Sequence, residues 1–171
     1  HVFIVGSKGI PAQYGGFETF VENLTAGKQS KELKYHVSCM NNDEKHFEHN
    51  DADCFNVRVP LPGAPGRIFH VGLVLNQVAK QHPQEKEIVC ILGCRIGPLL
   101  IPHAKKLHKL GAKVYCNPDG LEWKRSKWSA PAKAFLRYCE KCLVENSDLA
   151  ICDSVNIEKY INGLDTKKKV D

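Results

Sequence analysis

Long apolar runs are missing from this chain. No stretch of about 18 consecutive apolar residues occurs, so no membrane-spanning helix is expected. No secretory leader is visible, and the chain opens inside an apolar run, so native residues are expected ahead of His1. Only one C-x-x-C occurs, Cys139 to Cys142, and without a second at finger spacing a structural zinc site is not expected. The opening glycines read Gly6-Ser7-Lys8-Gly9, a G-x-x-G where a dinucleotide fingerprint needs G-x-G-x-x-G, and no G-K-[ST] follows. Sites for NAD and ATP are therefore not expected. G-x-S-x-G is missing, so a serine nucleophile elbow is excluded. His103 and His108 stand five apart without H-E-x-x-H and read as surface or packing residues. A divalent-metal site is not expected, and no nucleic-acid-binding motif accompanies the basic residues.

What is present suits one globular domain with a real core: 171 residues, 43% hydrophobic and 25% charged. The net charge of +5 suits a phosphorylated substrate, an anionic membrane surface or nucleic acid, and selects none of them. There are eight cysteines. Cys39, Cys54, Cys90, Cys116 and Cys152 fall in or beside predicted strands, where a free thiol packs as a small hydrophobe. The C-x-x-C lies inside a predicted helix rather than at its N-terminus, so its thiolates are not activated. Reduced thiols imply a cytosolic setting.

Hydrophobic periodicity gives an alternating series of strands and helices. Val2 to Val5 reads as a buried strand, followed by a glycine-rich loop and a helix from about Gly16 to Gln29. Tyr35 to Cys39 is a second strand, Asn41 to Asp53 a polar exposed loop, and Phe55 to Val59 a third strand. Leu61 to Gly66 is a loop by its prolines and glycines, and Ile68 to His82 is helical. Ile88 to Leu92, a continuous apolar run, reads as a central parallel strand. Gly93 to Pro98 is a loop, Leu99 to Leu110 a helix capped by Gly111, and Lys113 to Cys116 a strand. Asn117 to Trp128 is a third special loop. Pro131 to Glu145 is a helix, Leu149 to Cys152 a last strand, and Ser154 the N-cap of a final helix. Lys167 to Asp171 closes no element and reads as a linker. The alternation implies an α/β fold, a Rossmann-like open, mostly parallel sheet with helices on both faces, as one domain over 1–171.

Ligands of such sheets bind outside the carboxyl ends of the strands, where the loops after Val5, Leu92 and Cys116 converge. Gly15 and Gly16 allow two readings, a tight turn or a close approach of phosphate to a helix N-terminus. Asn117-Pro118-Asp119-Gly120-Leu121-Glu122-Trp123-Lys124-Arg125 sets two carboxylates beside two cations and an aromatic. Carboxylates can accept sugar hydroxyls, Trp can stack on a sugar face, and Lys and Arg can meet phosphate. The same stretch also reads as a Pro-Asp-Gly turn with a solvated charge run, and Trp123 and Trp128 as packing anchors.

Four of these stretches together resemble a known family. Gly9-Ile10-Pro11-Ala12-x-Tyr14-Gly15-Gly16-Phe17-Glu18-Thr19-Phe20-Val21-Glu22, Leu92 to Pro98, Asn117 to Trp128, and Asp148 to Ser154 with Lys159-Tyr160-Ile161 are similar to motifs of bacterial rhamnosyltransferases of glycosyltransferase family 4. The resemblance implies the N-terminal, acceptor-binding half of a GT-B enzyme, whose C-terminal nucleotide-sugar domain has no counterpart in this chain. It implies retaining transfer of L-rhamnose from dTDP-rhamnose to a lipid-linked saccharide in surface polysaccharide (capsule) synthesis, with no cofactor and no obligatory metal. Carried over, Gly15 and Gly16 border the donor diphosphate. Asp119, where many members carry histidine, stands near the transferred sugar as the catalytic candidate. Tyr14, Glu18, Arg95, Glu122, Lys124 and Arg125 line the acceptor side. A cytoplasmic setting with peripheral contact at the inner face of the membrane follows, and Leu61 to Leu75 is a candidate contact as well as a buried helix. A binding module for saccharide or nucleotide without transfer activity is the alternative.

Overall fold

The computed structural model describes residues 1–40, 43–81 and 87–164. His82, Asn41 and the linker reading of Lys167 to Asp171 lie outside the described residues. The strands are β1 (Val2–Val5), β2 (Tyr35–Cys39), β3 (His46–His49), β4 (Ala52–Asn56), β5 (Ile88–Leu92), β6 (Lys113–Asn117) and β7 (Leu149–Ala150). The helices are α1 (Gly16–Ala26), α2 (Gly63–Gln81), α3 (Leu100–Lys109), α4 (Ala130–Glu145) and α5 (Val155–Asn162), with 3₁₀ turns at Cys94–Leu99 and Glu122–Lys124.

One seven-stranded sheet runs β3-β4-β2-β1-β5-β6-β7, parallel throughout except for β3. Side chains alternate across it, as a strand's period of two demands. Phe3, Val5, Val89, Ile91 and Val114 face one core with Val71, Val74, Leu75 and Val78 of α2, Leu100 and Leu107 of α3 and Leu143 of α4. Ile4, Val37, Cys54, Cys90 and Leu92 face a second core with Val21 of α1. Helices thus cover both faces, and the expected Rossmann-like open sheet is the one observed.

Four local expectations are corrected. The polar stretch after Cys39 holds a strand. β3 pairs antiparallel with β4, His49 opposite Ala52, around a two-residue turn in which Asn50 (φ 51°) and Asp51 (φ 56°) both lie left-handed. That is the backbone of a tight hairpin, and Asn and Asp are among the residues that tolerate it. The third strand accordingly ends at Asn56 rather than running to Val59. Helix α2 begins at Gly63, so Gly63 to Gly66 is its first turn; Pro65 is accepted there because first-turn N–H groups have no partner within the helix. The glycine loop after Leu92 winds into a 3₁₀ turn.

The cysteines pack as expected: all eight are free thiols and seven are buried. Burial pushes Cys90 and Cys139 up to about 11 and Cys116 up to about 12, so these thiols stay protonated and unreactive. At α3, Gly111 N–H bonds the carbonyl of His108 and Ala112 N–H that of Leu107, the paired bonds of a Schellman ending. Ser154 Oγ accepts from Ile157 N–H and caps α5 as the sequence implies. Among the described residues no helix is long and apolar enough to cross a membrane.

Candidate functional site

Setting β3 aside, the strand order places consecutive connections on opposite sides of β1: the chain moves outward to β2 and β4, then returns through α2 to β5. The gap between the carboxyl ends of β1 and β5 is therefore the topological switch point, where open α/β sheets bind ligands. The two loops meet closely there. A Cβ on Gly6 would lie 2.3 Å from the Leu92 carbonyl oxygen, so only glycine fits that crossing. Gly93 N–H donates to the Asn117 carbonyl at 2.8 Å, which ties the β5 loop to the end of β6.

The first wall is built by α1 and the loop before it. Glu18 and Glu22, one helical turn apart, both face back onto the loop. Glu18 Oε1 accepts Lys8 N–H at 2.7 Å and Glu22 Oε2 accepts Ala12 N–H at 2.9 Å. Glu22 Oε1 also accepts from Asn50 Nδ2 at 2.9 Å and meets His49 Nε2 at 2.6 Å, joining the β3–β4 hairpin to the loop. Burial raises the Glu22 carboxyl, but the bonds from His49, Ala12 and Asn50 outweigh it and hold it below its ordinary range.

The glycine pair divides by structure. Gly15, with φ 130° and ψ 151°, occupies a region open essentially to glycine alone and fulfils the tight-turn reading. Gly16 opens α1, carries no positive φ, and a Cβ built on it would meet nothing within 4 Å. The described fold gives no steric reason for glycine there.

The second wall is the loop after β6. Buried Asn117 anchors it: Oδ1 accepts Asp119 N–H at 3.0 Å, and Nδ2 donates to Asp153 Oδ1 at 2.8 Å. Asp119 is held left-handed at φ 66°, a conformation that Asp and Asn tolerate best among side-chain-bearing residues. Burial, helped by nearby Glu122 and Asp153, raises its carboxyl above the ordinary range, against the Gly120 N–H and Arg95. Glu122 is the hub of this wall. Its side chain is 4% exposed and receives Arg125 Nη1 at 3.0 Å, Lys127 Nζ at 3.2 Å, Trp128 Nε1 at 3.2 Å and Arg95 Nη2 at 3.4 Å. Burial raises the Glu122 carboxyl, but Arg125 and Lys127 outweigh it and the group is held low.

Between the walls lies a cavity of about 890 Å³, open to solvent and floored by Leu92 and Ile96. Asp119, Gly15, Gly16, Tyr14, Glu18, Arg95, Glu122 and Arg125 all line it. Tyr14, 84% exposed, stands at its rim. Lys124 does not line it; its ammonium lies 5.4 Å from the Trp123 ring centre, within the packing that supports the wall. Trp123 Nε1 donates to Tyr160 OH at 3.1 Å, and Tyr160 OH donates to buried Glu140 at 2.5 Å. Both tryptophans are thus anchors, as their simpler reading held. The closing motif is likewise a brace, since Asp153 fixes Asn117 and Tyr160 fixes Trp123.

Sequence reasoning missed Lys8, Arg67 and Lys127, which also line the cavity. Lys8 and Lys127 lay inside stretches already singled out. Arg67 gave no signal, because the first turn of α2 reads as loop. With them the lining carries five cationic side chains against three carboxylates, an excess that favours anionic ligands. Among the described residues no group of His, Cys, Asp and Glu is arranged to hold a metal ion.

Comparison with known proteins adds a family and a fold. The family described as Domain of unknown function (DUF1972) matches residues 1–170. Among curated proteins no match is found. Among solved structures, one described as trehalose-6-phosphate from E. coli bound with UDP-2-fluoro glucose is similar at a TM-score of 0.52 and 14% identity. The alignment covers 94% of this chain and 42% of that one. An OtsA apo structure aligns at a TM-score of 0.45 and 15% identity, over 87% of this chain and 39% of its own. The chain thus spans less than half the length of these structures, and at such identity the likeness is one of fold.

Proposed function

The chain belongs to the family described as Domain of unknown function (DUF1972), and from that premise we propose that it is the acceptor-side half of a retaining GT-B glycosyltransferase. The observation that carries this reading is the cavity at the switch point. One wall is a helix N-terminus opened by an otherwise unneeded glycine, and the other sets Asp119 beside a cluster of cations. The neighbour bound with UDP-2-fluoro glucose supports a nucleotide sugar as the donor class. The sequence motifs favour dTDP-rhamnose as donor and a lipid-linked saccharide as acceptor, within surface polysaccharide synthesis. A second domain, facing the cavity across a cleft, supplies most contacts to the nucleotide in this reading. The protein then works at the inner face of the membrane, reached by peripheral contact.

In this reading the donor diphosphate rests at the start of α1, where Gly16 lets it approach N–H groups at the positive end of the helix dipole. Charge develops on the leaving diphosphate during transfer, and Lys8 with the helix N-terminus meets it without rearrangement. Asp119 faces the transferred sugar. Its raised carboxyl can accept a hydrogen bond from a sugar hydroxyl or, when protonated, give one.

The test is a transfer assay on the product of the complete reading frame, with dTDP-rhamnose and a lipid-linked saccharide. Release of dTDP matched by a rhamnose-bearing product is expected. Absence of turnover with dTDP-rhamnose and with UDP-glucose, alongside saturable saccharide binding, would replace transfer with a binding role.

A further inference from the structure

We propose that the second wall is a phosphate subsite for the acceptor, formed by Arg95, Arg125 and Lys127 and kept in shape by Glu122, which acts as a positioning residue. This rests on the glycosyltransferase reading and names the chemical class that its acceptor side takes, a substrate bearing a phosphate or diphosphate.

Charge balance carries the argument. One carboxylate gathers three cations, and with Asp119 also beside them the wall keeps a surplus of one positive charge. Glu122 is buried, whereas the side chains of Arg125 and Lys127 are 59% and 46% exposed and that of Arg95 is 30% exposed, all three lining the cavity. The anion is therefore held behind the cations, and their outward sides face the ligand space. The structure gives Arg125 Nη1 to Glu122, which leaves the rest of a five-donor guanidinium for another oxygen-rich group. Net positive charge with spare guanidinium and ammonium donors matches an oxygen-rich anion such as a phosphate or diphosphate better than a neutral sugar. Arg suits such groups because its fork meets two oxygens at once.

The subsite is also separate from the helix N-terminus that receives the donor. Its cations come from the loops after β5 and β6, whereas the α1 wall is built with the loop after β1, so two anionic groups can occupy one cavity without sharing ligating residues. Fixing Arg125 and Lys127 on buried Glu122 removes side-chain freedom before the ligand arrives, which is what preorganised binding requires. Trp128 completes the hub, and its indole N–H reports on it directly.

That indole supplies the experiment, since the chain has two tryptophans and their indole signals are told apart with Trp128→Phe. The protein is titrated with inorganic pyrophosphate, octyl diphosphate and, as an uncharged control, octyl glucoside, following both indole N–H resonances. Both diphosphates are expected to move Trp128 more than Trp123, and octyl glucoside to move neither. Arg125→Ala with Lys127→Ala is expected to weaken diphosphate binding by roughly tenfold or more, with an unmoved Trp123 signal showing the fold intact. Arg125→Lys is expected to recover part of it. Octyl diphosphate binding tighter than pyrophosphate identifies a lipid-linked source; equal binding identifies a soluble phosphorylated sugar. Glu122→Gln separates position from charge: removing a negative charge alone would tighten anion binding, whereas loss of positioning weakens it. A silent Trp128, or a response unchanged in the double variant, overturns the subsite, and tighter binding in Glu122→Gln overturns the positioning role. Donor binding is read separately, on the product of the complete reading frame, from the thymine protons of dTDP-rhamnose. Failure there with a responsive Trp128 refutes the donor reading and leaves the subsite standing.

Discussion

Gly15→Ala tests the architecture of the first wall most sharply. The native backbone at φ 130° and ψ 151° strains any residue with a Cβ by roughly 1–3 kcal/mol. The new methyl would also stand 1.9 Å from Glu18 Oε2, far inside contact distance. Glu18 is a flexible side chain and can swing away, but only by releasing the Lys8 N–H held at 2.7 Å. A hydrogen bond to a charged group contributes roughly 1.5–3 kcal/mol, so the total loss is about 2.5–6 kcal/mol. Against a domain stability of about 5–15 kcal/mol this is a large fraction. The assay is urea unfolding followed by circular dichroism, on Gly15→Ala, Glu18→Ala and the double variant. In the Glu18→Ala background the clash and the Lys8 bond are already gone, so Gly15→Ala should then cost only the backbone strain. The cycle should therefore show a coupling of about 1.5–3 kcal/mol. Additivity within about 0.5 kcal/mol would refute the claim that Glu18 clasps the loop through the space a side chain at 15 would fill.

Gly16→Ala should behave oppositely: stability unchanged or raised by up to about 1 kcal/mol in urea unfolding, because helix propensity improves, with weaker donor binding in equilibrium titration. Asp119→Asn should keep the left-handed turn and lower turnover on the order of 100-fold at unchanged melting temperature, whereas Asp119→Ala should add about 1 kcal/mol of backbone strain; wild-type rates in Asp119→Asn would remove the carboxylate from the chemistry. Glu122 sits below its unfolded value, so its contribution to stability is full above the ordinary glutamate range and fades as pH falls through its lowered folded value; Glu122→Gln should flatten that acid limb in melting curves taken from pH 7 to pH 3. Ser154→Ala removes the α5 cap and should cost about 1 kcal/mol by urea unfolding.

Periodicity revealed β1 and β5 because they are buried on both faces and read as near-continuous apolar runs, and β2 because Tyr35, Val37 and Cys39 alternate with His36 and Ser38. It failed at β3, whose His46 and Glu48 are exposed, since an edge strand outside the core carries no burial signal. The left-handed Asn50-Asp51 pair was the available clue to that hairpin. The start of α2 was hidden by Pro65, which reads as a breaker although the first turn accepts it. At the site, the convergence of three loops was legible from strand order alone. The division of labour within each motif was not, because it depends on contacts between distant residues. Glu18 reads as an acceptor-side residue, yet it and Glu22 both turn onto loop N–H groups. Glu122 read as a ligand contact, yet its burial beneath three cations makes it their support.

The central place of β1 shapes how the chain must assemble. Its partner on one side, β2, lies about 30 residues along the chain, but its partner on the other, β5, begins only at Ile88. A chain leaving the ribosome can pair β1, β2, β4 and β3 once Asn56 is free, while the opposite edge of β1 stays bare until β5 is made. An unpaired parallel edge of Phe3, Ile4 and Val5 is a ready template for another chain. The antiparallel β3 is completed early and makes the outer edge of this half-sheet short and polar. During synthesis, the exposed apolar edge is therefore the one that will become the switch point.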